Sequence, residues 1–112
     1  MTYQTAIQAL ADPTRRAVFE QLRDGPSPVG KLAAALPVTR PAVSQHLKVL
    51  KNAGLVQERK MGTRRIYSVQ TQGLIELRRY LESFWNEVLT AFEEEANQAG
   101  RLGKRRKNNV ED

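Results

Sequence analysis

Apolar residues recur along this chain with two different periods, and the change of period divides it. From residue 3 to residue 53 the spacing is helical. Tyr3 to Leu10 reads as a short helix with Ile7 and Leu10 on one side. Asp12-Pro13 marks a second start: aspartate accepts from free backbone N–H groups, and proline suits the first helical position. Val18, Phe19 and Leu22 supply its apolar face, and Gly25-Pro26 ends it. Ser27-Pro28 repeats the start signal, and Leu32, Ala33 and Leu36 line a third helix over 28–36 that stops at Pro37. Thr39 caps a fourth helix, 40–53, with Val43, Leu47 and Leu50 at i, i+4 and i+7 and Gly54 as its stop.

The period then falls to two. Leu55–Lys60 and Arg64–Val69 read as strands joined by a turn at Met61-Gly62-Thr63. Thr71 caps a long last helix, roughly 72–96, whose apolar positions are Leu74, Leu77, Leu81, Phe84, Trp85, Val88, Leu89 and Phe92. Residues 100–112 hold almost no apolar content and read as a disordered basic tail. The expected fold is mainly α with a small β-hairpin (α+β). It is a winged helix-turn-helix in the order α-α-α-α-β-β-α, one domain over 1–99 followed by the tail.

Composition narrows the chemistry. Cysteine is absent, which excludes disulfides, thiolate metal sites and thiol redox switching. A single histidine leaves no zinc site built from Cys and His within one chain. No apolar run approaches the roughly 18 residues of a membrane helix, and the first residues lack a basic-then-apolar leader. The expected location is cytoplasmic, with the nucleoid, and no membrane partner is expected.

Charge is unevenly placed. The whole chain carries +6. Residues 40–65 alone carry +6, with Arg40, Lys48, Lys51, Arg59, Lys60, Arg64 and Arg65 against Glu58 as the single acid. Residues 66–99 carry −4. An acidic helix would not be laid along a phosphate backbone, so the two segments should face different ways.

The pair of helices 28–36 and 40–53, joined across Pro37-Val38-Thr39, has the layout of a helix-turn-helix, and a basic hairpin follows it. The major groove of DNA admits one α-helix whose outer face reaches base edges. A helical wheel on 40–53 turns Val43, Leu47 and Leu50 inward and sets Pro41, Gln45, Lys48 and Asn52 roughly opposite. Arg40, Ser44 and Lys51 flank one side, and His46 lies near the other boundary. Val49 is the one apolar residue that looks exposed. Serine and glutamine suit bases, whereas lysine and arginine suit phosphates or guanine.

The segments "ALADPTRRAVFEQL" (9–22), "PVTRPAVSQHLKVLKNAGLV" (37–56) and "GTRRIYSV" (62–69) resemble the ArsR/SmtB-type winged-helix repressors over about residues 5–95. The resemblance implies a dimer that represses its own operon or a neighbouring gene. It implies that Ser44 and Gln45 face bases. It also implies that Thr39, Arg40 and Pro41, opening the helix, and the wing arginines Arg64 and Arg65 meet the backbone or minor groove. His46, Lys48 and Lys51 complete the expected DNA-binding set. The expected dimer interface comprises Ile7, Leu10, Leu74, Leu77, Leu81, Phe84, Trp85, Val88 and Phe92.

Two family features are missing. The stretch Val29-Gly30-Lys31-Leu32-Ala33, where many members carry a Cys-x-Cys pair, has no cysteine, and the last helix has neither histidine nor aspartate. No metal site and no cofactor are expected, and the chain resembles a sub-branch without the metal ligands. All-carboxylate ligation would favour hard cations only. The expected partners are double-stranded DNA and a second copy of the chain, with a small-molecule or protein inducer left open.

Other readings fare worse. Ser44 and His46, two apart on a helix, diverge and cannot form a nucleophile–base pair, and neither a G-x-S-x-G motif nor a phosphate-cradling glycine loop is present. Glu93-Glu94-Glu95 point about 100° apart and form no catalytic pair. An enzyme is not expected. A protein-binding winged helix would show an apolar patch on the fourth helix, and an RNA reader would show stacking aromatics there. That surface is polar and basic instead. A metal-responsive repressor using carboxylates remains the other alternative.

Overall fold

In the computed structural model the backbone is described for residues 2–110 and side chains for residues 2–100. The elements run in the order α1 (Tyr3–Ala11), α2 (Pro13–Gln21), a 3-10 turn (Leu22–Asp24), β1 (Ser27–Pro28), α3 (Val29–Ala35), α4 (Arg40–Asn52), β2 (Val56–Met61), β3 (Arg64–Val69) and α5 (Thr71–Val110). The chain forms two compact units, Met1–Arg79 and Tyr80–Asp112.

The corner between α1 and α2 is built by hydrogen bonds to helix ends. Asp12 accepts from the N–H groups of Thr14 (2.8 Å) and Arg15 (3.0 Å), capping α2. Arg15 Nη1 donates back to the carbonyl of Ala9 (3.2 Å) and Arg16 Nη1 to that of Leu10 (3.0 Å). These carbonyls end α1 and have no partner within the helix. The Asp12 carboxyl is held below the usual aspartate range, first by the Arg15 N–H, against an opposing effect of burial that exceeds the further lowering by the Thr14 N–H.

Val18, Leu22, Leu32, Val43, Leu47, Leu50 and Leu55 form the centre of the core and are fully buried. Each large side chain taken from water contributes roughly 1.5–3 kcal/mol. On α1 the buried side chains are Ala6 and Ala9, with Leu10 half-buried, while Ile7 is 42% exposed. Ala6 and Ala9 thus form the core-facing side of α1, and Ile7 remains exposed. Val49 also departs from expectation: it is half-buried and packs on the core.

The sheet has the order β1-β3-β2, antiparallel throughout. Strand β1 was not expected. Ser27-Pro28 was read as a helix start, but it pairs with Tyr67 and Ile66 of β3, and Pro28 at the N-cap of α3 makes no side-chain capping bond. Proline is tolerated here because the strand lies at the sheet edge. The wing turns tightly through Gly62, whose φ of 65° lies in the left-handed region that glycine adopts without strain. At the start of α5 the side chain of Gln70, rather than Thr71, accepts from the N–H of Gln72 (3.4 Å). The helix continues past the expected end near residue 96 to Val110. The tail expectation for 100–112 falls mainly outside the residues with described side chains.

Gly73 sits in close backbone contact with the end of α4. Its N–H donates to the carbonyl of Gly54 at 2.8 Å. A Cβ there would lie 2.6 Å from the Ala53 carbonyl oxygen and 2.9 Å from that of Gly54. Replacing a helical glycine with alanine ordinarily gains about 1 kcal/mol. Here the sign should invert: Gly73→Ala should cost about 1–3 kcal/mol through overpacking. Gly100→Ala, with open space around its Cβ position, should be neutral or stabilising. Urea melts of the two variants check this.

Candidate nucleic-acid interface

Helix α4 is anchored at one end by Thr39, whose Oγ1 accepts from the Ala42 N–H at 3.3 Å. Its inward seam of Val43, Leu47 and Leu50 is completely buried. That seam fixes the rotation of the helix and leaves Arg40, Pro41, Ser44, Gln45, Lys48 and Lys51 exposed. The hairpin β2–β3 runs beside it.

Two adjoining grooves lie between the helix and the hairpin. One, about 280 Å³, is lined by Pro28, Val29, Arg40, Ser44, Thr63, Arg64 and Arg65. The other, about 290 Å³, is lined by Val29, Ser44, Lys48, Lys51, Glu58, Arg65 and Tyr67. The expected residues Arg40, Ser44, Lys48, Lys51, Arg64 and Arg65 are thereby gathered on one surface. Gathered guanidinium and ammonium groups around a serine hydroxyl suit an anionic backbone.

Thr39, Pro41, Gln45 and His46 line neither groove. Gln45 is exposed on the outer face of α4. His46 is half-buried on the opposite boundary, near enough to Asp12 for its charge to lower that carboxyl slightly. Of the other basic residues in 40–65, Arg59 lies with Pro26, Gln57, Glu58, Met61, Ile66 and Ser68 along a different groove of about 360 Å³.

The residue that sequence reasoning missed is Glu58. Its Oε1 accepts from Lys51 Nζ at 3.0 Å, and its Oε2 accepts from Arg65 Nη1 at 3.1 Å and from the Tyr67 hydroxyl at 2.9 Å. Tyr67 is its direct cross-strand partner. The Glu58 side chain is 17% exposed, against 52% for Lys51 and 58% for Arg65. The Lys51 bond, then that of Tyr67, holds the Glu58 carboxyl below the usual glutamate range, with the Arg65 charge adding to both. Burial, and then the carboxylate it donates to, push the Tyr67 hydroxyl up. The only sequence signal for this cluster was a lone acid in a basic block.

A carboxylate with a depressed pKa in the folded state stabilises the fold above the ordinary glutamate range, and that contribution is lost as pH falls through the lowered value. Glu58→Gln should therefore lower the melting temperature at neutral pH and flatten its decline on acidification. Thermal melts of both proteins between about pH 3 and pH 7 check this; parallel curves would contradict it.

Among the described residues, no three His, Cys, Asp or Glu side chains gather as a metal site, and no helix is long and apolar enough to cross a membrane. Residues 10–59 match the model of a helix-turn-helix domain family. The chain is 59% identical over 87 residues to the HTH-type transcriptional regulator Rv2034 of Mycobacterium tuberculosis, covering 78% of this chain and 81% of that one. It is 30% identical over 79 residues to the transcriptional repressor SdpR of Bacillus subtilis, covering 70% and 88%. Its fold matches an ArsR-like transcriptional regulator from Rhodococcus sp. RHA1 with a TM-score of 0.69 at 31% identity, over 84% of this chain and 92% of that one. A winged helix-turn-helix whose basic surface lies between recognition helix and wing, with relatives of this kind across most of its length, identifies the chain: it belongs to the ArsR/SmtB family of helix-turn-helix transcriptional regulators.

Proposed function

We propose that the protein is a dimeric repressor that reads an inverted-repeat operator in double-stranded DNA, a binding role with no catalytic step. The observation that carries this reading is the continuous basic surface shared by α4 and the wing, with Ser44 at its centre and Gln45 beside it on the exposed face. In this reading α4 enters the major groove, Ser44 and Gln45 meet base edges, and Arg40, Lys48 and Arg64 meet phosphates.

Dimerisation is supported by α5. In the second unit Leu81, Phe84, Trp85, Val88 and Phe92 are each between 46% and 64% exposed. Leu74, Leu77, Leu81, Phe84 and Val88 recur at steps of 3, 4, 3 and 4, the spacing of a helix–helix seam. Leu74 and Leu77 are half-buried against their own core, so the stripe from Leu81 onward offers most of the area for a partner. The absence of cysteine and the single histidine favour a switch other than a transition metal.

Footprinting on the DNA upstream of its own gene should reveal a protected inverted repeat with half-sites about 34–36 Å apart. Affinity equal to that for random duplex at physiological salt would refute the reading. Ser44→Ala or Gln45→Ala should cost about 1–3 kcal/mol on the operator and relax sequence preference, whereas Arg64→Ala or Lys48→Ala should weaken all DNA more evenly. Sedimentation should give a dimer at micromolar concentration, and Leu81→Glu should yield a monomer that no longer protects both half-sites.

A further inference from the structure

On a surface that the preceding reading turns toward DNA, one side chain has the wrong sign. Glu58 faces the groove that Ser44 and Lys48 also line, and it holds Lys51 from the recognition helix and Arg65 from the wing at 3.0 and 3.1 Å. Both cations are half-exposed, whereas the carboxylate is largely covered and takes a further hydrogen bond from Tyr67. The cluster therefore presents one net positive charge where its two basic side chains alone would present two.

We propose that Glu58 is a built-in competitor for DNA phosphate that withholds Lys51 and Arg65 from the backbone and so limits the sequence-independent part of binding. The inference rests on the DNA-binding reading above and concerns how strongly that surface attracts any duplex. The physical argument is one of exchange. For Lys51 or Arg65 to pair with a phosphate, it must loosen its bond to Glu58. If both cations turned to phosphate, a covered carboxylate would be left beside the DNA backbone with its charge uncompensated. Phosphate pairing gives affinity without sequence information. An internal anion that takes up part of this pairing leaves more of the total affinity to groups such as Ser44 and Gln45. Tyr67 keeps the carboxylate aimed at the two cations, so it is a positioning residue.

The test is a salt titration of binding to an operator duplex and to a random duplex of equal length. Each phosphate neutralised on double-stranded DNA contributes a slope of about −0.9 in log K against log salt. Glu58→Gln keeps the side chain's size and removes its charge. It should bind random duplex more tightly at low salt and steepen the slope by about 0.9–1.8 per protomer. Lys51→Gln should weaken binding more in the Glu58→Gln background than in the wild type, because only there is Lys51 fully released to phosphate. Tyr67→Phe, which removes the bond that aims the carboxylate but keeps its charge, should steepen the slope by less than Glu58→Gln does. Circular dichroism establishes that each variant is folded. An unchanged or shallower slope in folded Glu58→Gln, or equal effects of Lys51→Gln in both backgrounds, would overturn the inference and mark the cluster as purely structural. A wild-type protein that binds neither duplex would instead overturn the DNA-binding reading itself.

Discussion

Everything the surface can do depends on the burial of Val43, Leu47 and Leu50. These three side chains, one per turn of α4, are wholly removed from solvent. Their packing sets the rotation of the helix about its own axis. A helix of 13 residues with one face locked presents the opposite face in a single orientation. Thr39 fixes where the helix begins, and Gly54, with a φ of 72°, lets the chain reverse direction where it ends. A rotation of one residue position would replace Ser44 and Gln45 on the exposed face by their neighbours.

The wing is joined to that helix by electrostatics as well as by packing. Strand β2 enters the core through Leu55 and Val56 and emerges at Glu58, where the carboxylate reaches both α4 and β3. The three donors come from a helix and from two positions on one strand, so the cluster forms only when hairpin register and helix rotation are both correct. A one-residue slip of β2 against β3 would turn Glu58 to the other face of the sheet.

This explains which parts could be read from the chain and which could not. The α4 seam was legible because its three apolar residues follow helical spacing between a threonine cap and a glycine stop. The start of α2 was legible from Asp12-Pro13, and β3 from Arg64 to Val69. These are local signals. Strand β1 was not legible, because two residues containing a proline become a strand only by meeting Tyr67 and Ile66 about forty positions later. On α1 the buried residues are the small Ala6 and Ala9, which spacing of large apolar side chains does not signal. The basic surface was foreseen as a list of charges. The place of Glu58 within it required the register.

The contact between Gly73 and the end of α4 has a mechanical consequence. Most helix junctions meet through side chains, which can absorb a small rotation by changing rotamer. This one meets through peptide groups, with the Gly73 N–H on the Gly54 carbonyl and the Gln70 N–H on that of Leu55 at 2.9 Å. Such a joint has little slack. A shift of the first turn of α5 would therefore strain backbone hydrogen bonds to the end of α4 and the residue before β2. Within the first unit, the start of α5 and the end of α4 are welded rather than hinged.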